Sequence, residues 1–174
     1  MAPGEDGGVT IRVAFAACLL AGCASYGGRG LVPGQSTEAD VIATMGAPAE
    51  TRSGPISGEK VLWYPRLPYG RESYAARIAP DGKLIAVEQR LREENLDRLE
   101  KNRTTDEQAH DFFGPPWRVD QNPRMQREIW TYQFPAVPRP KILYLQFSPD
   151  HVLRESYYMD DPDARPVVPG RIMQ

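Results

Sequence analysis

The sequence predicts an α+β protein built from two tandem units, each a short helix followed by a three-stranded antiparallel sheet. Three observations carry that expectation. The chain matches itself at an offset of 67 to 69 residues, a period that marks a duplicated structural unit. Each copy opens with a short segment bounded by helix start and stop residues. Each then runs into apolar alternation of period two, broken by Pro-Asp turns, which is the pattern of half-buried strands.

The segment before the first copy has a different character. The one long apolar run is Val13-Ala14-Phe15-Ala16-Ala17-Cys18-Leu19-Leu20-Ala21-Gly22, about half the roughly twenty residues that a membrane-spanning helix needs. It reads as the apolar region of a secretory signal peptide covering residues 1–22. Its end, Leu20-Ala21-Gly22-Cys23, resembles the lipobox of bacterial lipoproteins. That resemblance implies cleavage before Cys23 and a covalent diacylglycerol plus an N-acyl chain on Cys23 itself. The alternative places Cys18 and Cys23 on a buried N-terminal helix as inert thiols or a disulfide. The first twelve residues set Glu5 and Asp6 against Arg12 alone, whereas a leader wants a positive start. Initiation at Val9 would remove both acids, and an unprocessed precursor peptide containing Glu5 would rule it out.

Residues 23–30 are expected to be a short lipidated tether, Ala-Ser-Tyr-Gly-Gly-Arg-Gly after the cysteine, with the first unit over 31–90 and the second over 91–160. In the first unit Ser36 or Thr37 caps a helix by accepting from its free N–H groups. Val41 and Met45 then share one helical face, Gly46 supplies a left-handed cap, and Pro48 stops the helix from resuming. In the second, Thr104 or Thr105 takes the capping role, Thr104 with Glu107 forming a capping box, followed by Ala109, Phe113, Gly114 and Pro115-Pro116. Strands are expected at 61–64, 73–79 and 84–89, and at 128–134, 141–147 and 153–159. The turns Pro80-Asp81-Gly82-Lys83 and Pro149-Asp150-His151 join the last two strands of each set. Residues 91–103, charged but with Leu91, Leu96 and Leu99, read as a connecting helix packed on the sheet. The proline-containing stretch 161–174 reads as a flexible tail.

The repeat alignment places Leu62-Trp63 on Ile129-Trp130. Trp130, Tyr132 and Phe134 then share one strand face with Leu143, Leu145 and Phe147 on the next, and these form the core beneath the helices. Trp63 and Trp130 are expected in that core. The opposite face carries Ile129, Thr131, Ile142, Tyr144 and Gln146, with Leu62, Tyr64 and Arg77 as first-unit counterparts. Tyr64, Arg77, Ile142, Tyr144 and Gln146 are the candidate partner-binding residues, since tyrosine on a sheet face adds contact area at low entropic cost. The tandem arrangement leaves open whether the two sheets are continuous.

Composition excludes some functions. The formal charge is −2, and loss of Arg12, Glu5 and Asp6 with the leader brings it closer to neutrality, so no basic stripe argues for nucleic acid. The two histidines, His110 and His151, fall on a helix and a turn without neighbouring cysteines or paired carboxylates at metal spacing, and read as packing or solvated residues. Neither a Gly-x-Ser-x-Gly elbow nor a phosphate-cradling glycine loop is present. Acid pairs such as Glu93-Glu94 and Asp160-Asp161 read as solvated surface. No catalytic residue, metal, dissociable cofactor or small-molecule substrate is therefore expected.

Leu31, Gly34, Ser36-Thr37, Val41, Met45-Gly46-x-Pro48, Leu62-Trp63-Tyr64 and Asp81-Gly82-Lys83-Leu84 together resemble the small lipoprotein domain of the SmpA/OmlA (BamE-like) family. A usual member has one such unit, and two in tandem resemble the β-lactamase-inhibitor-protein fold. The first resemblance implies an outer-membrane-anchored, periplasm-facing scaffold or accessory subunit in envelope protein assembly, with the β-barrel assembly machinery as a partner. Ala24 after the lipid site, rather than aspartate, agrees with outer-membrane sorting. The second implies an inhibitor-like module that binds a protein through its open sheet face.

Overall fold

The computed structural model describes residues 27–54, 56–67, 70–136 and 139–163. Among them the chain runs α1 (Glu38–Met45), β1 (Glu50–Ser53), β2 (Lys60–Pro65), β3 (Ser73–Ile78), β4 (Leu84–Gln89), α2 (Glu93–Leu96), α3 (Asp106–Phe113), β5 (Arg118–Asn122), β6 (Arg127–Phe134), β7 (Lys141–Phe147) and β8 (Leu153–Asp160). The fold is α+β. Two separate four-stranded antiparallel sheets form, ordered β1-β2-β3-β4 and β5-β6-β7-β8. Each therefore has one strand more than the sequence predicts. The added edge strands, Glu-Thr-Arg-Ser and Arg-Val-Asp-Gln-Asn, are short and polar. Their signal is absent because an edge strand pairs through backbone and buries little side chain.

Both long helices start the same way. Thr37 and Thr105 accept from the backbone N–H of Asp40 and Gln108, whose side chains accept in return from the Thr37 and Thr105 N–H groups. The second box is thus Thr105 with Gln108, not Thr104 with Glu107. Thr104 is buried, and its hydroxyl accepts from the Glu100 N–H at 2.8 Å. Both helices end on a glycine with positive φ, but the backbone is not the left-handed helical cap expected: Gly46 stands at φ 89°, ψ −174° and Gly114 at φ 83°, ψ −166°. That extended positive-φ region is open essentially to glycine alone. It swings the chain directly into the edge strand.

Residues 91–103 do not form the expected continuous helix. Only Glu93–Leu96 is helical, with no side-chain cap, followed by turns in which Asn102 takes φ 64°. The apolar residues still do what their pattern requires: Leu91 is buried in the second core, and Leu96 and Leu99 pack against it.

The first core lies between α1 and one face of its sheet, from Val41, Met45, Leu62, Tyr64, Ala76, Ile78 and Leu84. The second joins Ala109 and Phe113 of α3 to Tyr132, Phe134, Leu143, Leu145, Phe147 and Leu153. We call these the inner faces. The outer face of the first sheet holds a third small cluster, Val61, Trp63 and Ala75.

This placement corrects the repeat register. Ala49 donates its N–H to the Trp63 carbonyl, and Trp117 to that of Thr131; with the helix caps, this sets an offset of 68 through β2 and β6. Trp63 corresponds to Thr131, and Tyr64 to Tyr132. Because side-chain direction alternates along a strand, a one-residue slip exchanges the faces. Leu62 and Tyr64 therefore lie inside, under α1, and Trp63 lies outside.

Candidate functional site

What buries Trp63, on an outer face, is the second unit. The Gly114 backbone at the end of α3 lies against the Trp63 ring, and an added Cβ would fall 2.6 Å from Trp63 Cε3 and 2.7 Å from Ser73 Oγ. One turn earlier His110 stands edge-on to Trp63, centroids 5.5 Å apart, and edge-on at 6.5 Å to Trp130 on the inner side of the second sheet. Its Nε2 is 2.9 Å from Glu50 Oε2 on β1. Burial lowers the His110 pKa, with the bond to Glu50 opposing. The neutral ring with its proton on Nε2 suits the site, because Nδ1 is buried without a partner and an N–H there would have no acceptor. A second tie joins Arg71, between β2 and β3, to Asp161 beyond β8, at 2.6 Å with the carboxylate buried.

The seam thus closes the apolar half of the first outer face. Its other half is polar: Arg77 donates Nε–H to the buried Glu59 carboxylate at 2.6 Å, and Arg90 pairs with Glu88 at 2.8 Å. Of the candidate partner-binding residues, Arg77 is held by Glu59. Tyr64 is 3% exposed beneath α1, where burial and the nearby Glu38 raise its phenol pKa; it offers no surface to a partner.

The remaining three share the outer face of the second sheet. Register aligns Arg118, Thr131, Tyr144 and Tyr157 in one row across it, Gln133, Ile142 and Met159 in the next, and Asp120, Ile129, Gln146 and Glu155 in a third. Tyr144 and Tyr157 stack at 5.1 Å. Tyr157 and Met159 are 42% and 51% exposed. Thr131 and Gln146 are buried among these side chains, at 1% and 7% exposure, and Thr131 Oγ1 and Gln146 Oε1 have no hydrogen-bond partner.

Sequence reasoning brought Ile142, Tyr144 and Gln146 to one face and missed Tyr157 and Met159. Tyr157-Tyr158-Met159 runs without polar alternation, so the split that puts Tyr158, itself 55% exposed, on the inner face and its two neighbours on the outer one shows only in the pairing. It also missed the seam role of His110; a repeat offset held at 68 would have flagged Trp63 as an outer-face residue needing cover. His151 occupies the turn position with φ 63° and bonds Asp106 through Nδ1 at 2.7 Å, an exposed tie that raises its pKa.

An open cleft beside the seam, about 450 Å³, is lined by Arg52, Thr105, Asp106, Glu107, Trp130 and His151. Among the described residues no group of three or more His, Cys, Asp or Glu side chains is placed to hold a metal, and no helix is long and apolar enough to cross a membrane. Leu20, Ala21, Gly22 and Cys23, like the tail from 164 onward, lie outside the described residues.

No protein family matches the sequence, and no curated protein does. Among solved structures, the chain is similar to a DUF4309 family protein (YjgB) from Bacillus subtilis, at 20% identity and a TM-score of 0.30, over 76% of this chain and 84% of that one.

Proposed function

We propose that this is a lipid-anchored protein of the bacterial envelope, held at the outer membrane through Cys23 and facing the periplasm. It acts without catalysis as a scaffold or accessory subunit in envelope protein assembly, and binds its protein partner through the outer face of the second sheet. The observation that carries the binding reading is the difference between two equivalent faces. The apolar half of the first is covered by α3, whereas the second leaves Tyr157 and Met159 exposed over partnerless polar atoms of Thr131 and Gln146. Exposed aromatic and methionine side chains around buried, unsatisfied polar groups suit a protein interface better than they suit water.

Two BamE-like units in tandem form part of the proposal, supported by the paired capping boxes, the paired glycine ends and the repeat-matched strand register. Anchorage is supported by the Leu20-Ala21-Gly22-Cys23 sequence and by the stable membrane retention that two or more acyl chains give.

The test is photo-crosslinking in native membranes from a reactive residue placed at Met159. Capture of β-barrel assembly components supports the scaffold reading, and capture of a single soluble enzyme replaces it with the inhibitor-like one. A cross-linking pattern unchanged by Tyr144→Lys refutes the face.

A further inference from the structure

Inside the molecule, the outer face of one sheet is a receptor and the outward side of the following helix is its ligand. The chain carries one further copy of each, the helix exposed at Ile42 and the sheet face exposed at Tyr157 and Met159. On the helix side, α1 matches α3 at the offset of 68, so Ile42 stands where His110 stands and Gly46 where Gly114 stands. His110 is 5% exposed and Ile42 39%, a large apolar side chain facing outward. Gly114 is pressed onto Trp63, whereas a Cβ on Gly46 would meet nothing within 4 Å among the described residues. Around Ile42 the outward positions Ala39, Ala43 and Ala47 are also exposed and uncharged. Surface helices usually present charge on that side.

On the sheet side, Thr131 replaces Trp63, Tyr144 replaces Ala75 and Ile142 replaces Ser73 as the apolar half of the receptor. Bulk has moved from β2 to the neighbouring strands: Thr131, 1% exposed, lies beneath, and Tyr157 and Met159 form the surface on which the helix would seat. Arg118, which also donates Nε–H to Asp120 at 2.6 Å, takes the place of Glu50 at the edge. Glu50 suits a histidine; a cation suits the carbonyl end of α1, whose last turn carries no basic residue.

We propose that the outer face of the second sheet receives the outward side of α1 from a second copy of this chain, repeating between molecules the contact that α3 makes with the first sheet within one. This rests on the reading of that face as a protein-binding surface and names its occupant. The contact is head-to-tail, so its repetition adds copies one after another into linear arrays or, where the rotation closes, rings. Confinement of anchored chains to a membrane would favour it through raised effective concentration.

Sedimentation velocity of the full chain in detergent micelles over a hundredfold concentration range tests it. The wild type should associate progressively beyond the dimer. Ile42→Asp and Tyr144→Lys should each weaken association at least tenfold, and Met159→Lys, at an exposed position, repeats the second test if Tyr144→Lys perturbs folding. Mixed in equal amounts, the Ile42→Asp and Tyr144→Lys proteins should regain one intact contact and stop at a dimer. Loss with Tyr144→Lys but not with Ile42→Asp would overturn the head-to-tail geometry. A wild type monomeric throughout overturns self-assembly; if Tyr144→Lys then still abolishes cross-linking in membranes, the binding face stands and only its occupant is wrong.

Discussion

Replacing Gly114 and Gly46 separately with alanine measures the seam, because the two glycines share a backbone conformation and differ in what they touch. Both sit in a region of positive φ and extended ψ, where a Cβ costs about 1–3 kcal/mol in backbone strain. Gly46→Ala incurs that strain alone. Gly114→Ala adds a methyl group 2.6–2.7 Å from Trp63 Cε3, Trp63 Cζ3 and Ser73 Oγ, well inside van der Waals contact. The indole has little freedom to retreat, since His110 packs edge-on against it and the ring is buried. Overpacking of this kind costs about 1–3 kcal/mol, so Gly114→Ala should destabilise by about 2–6 kcal/mol against about 1–3 for Gly46→Ala. Urea denaturation followed by tryptophan emission, to which Trp63, Trp117 and Trp130 all contribute, reads both. Losses equal within about 0.5 kcal/mol, the scatter of ordinary surface substitutions, would show that Gly114 is not wedged between the units.

The seam histidine gives a pH signature of fixed sign. His110 has its folded pKa below the ordinary 6.5, so the unfolded chain takes up its proton first, and stability from this residue, complete above 6.5, is lost as pH falls toward the depressed value. Urea midpoints should therefore drop between pH 7.5 and 5, and His110→Gln should flatten that drop; an unaltered slope refutes the assignment. His151 acts in the opposite sense. Its pKa is raised by Asp106, its contribution is present below 6.5 and fades as pH rises through the raised value, and His151→Ala should steepen the acid-side fall. Arg71→Ala removes the 2.6 Å ion pair with the buried Asp161 carboxylate and should cost about 1–3 kcal/mol; a loss below the error of a urea titration would show that the pair is idle. Cys23→Ala should accumulate unprocessed precursor on immunoblots, and normal maturation would refute the anchor.

Much of the fold was legible in the sequence because its signals are local. A threonine that caps, an apolar pair four residues apart, a glycine that ends a helix and a proline-aspartate turn each act within a few residues of chain. Six of the eight strands follow from alternation because they bury side chains on at least one face. The two edge strands, made by backbone pairing of polar residues, left no such trace. The connector shows the same limit: Leu91, Leu96 and Leu99 marked a packed segment, but local composition could not tell a continuous helix from the four-residue turn of helix and the loop that follow.

The face that each strand turns to the core was decided one level higher. Leu62-Trp63 aligns with Ile129-Trp130 by residue type, yet the hydrogen bonds from Ala49 and Trp117 fix the register one residue away, and a strand slipped by one residue presents its other side. Sequence by itself determined the α+β class, the capped helices, the main strands and the apolar residues of the second core. Only the tertiary structure decided that His110 and Gly114 cover the apolar half of the first sheet's outer face, leaving Tyr157 and Met159 exposed on that of the second. That closure joins residues some fifty to sixty positions apart, Trp63 with Gly114 and Glu50 with His110, and no periodicity along the chain encodes a contact between two units that each fold on local rules.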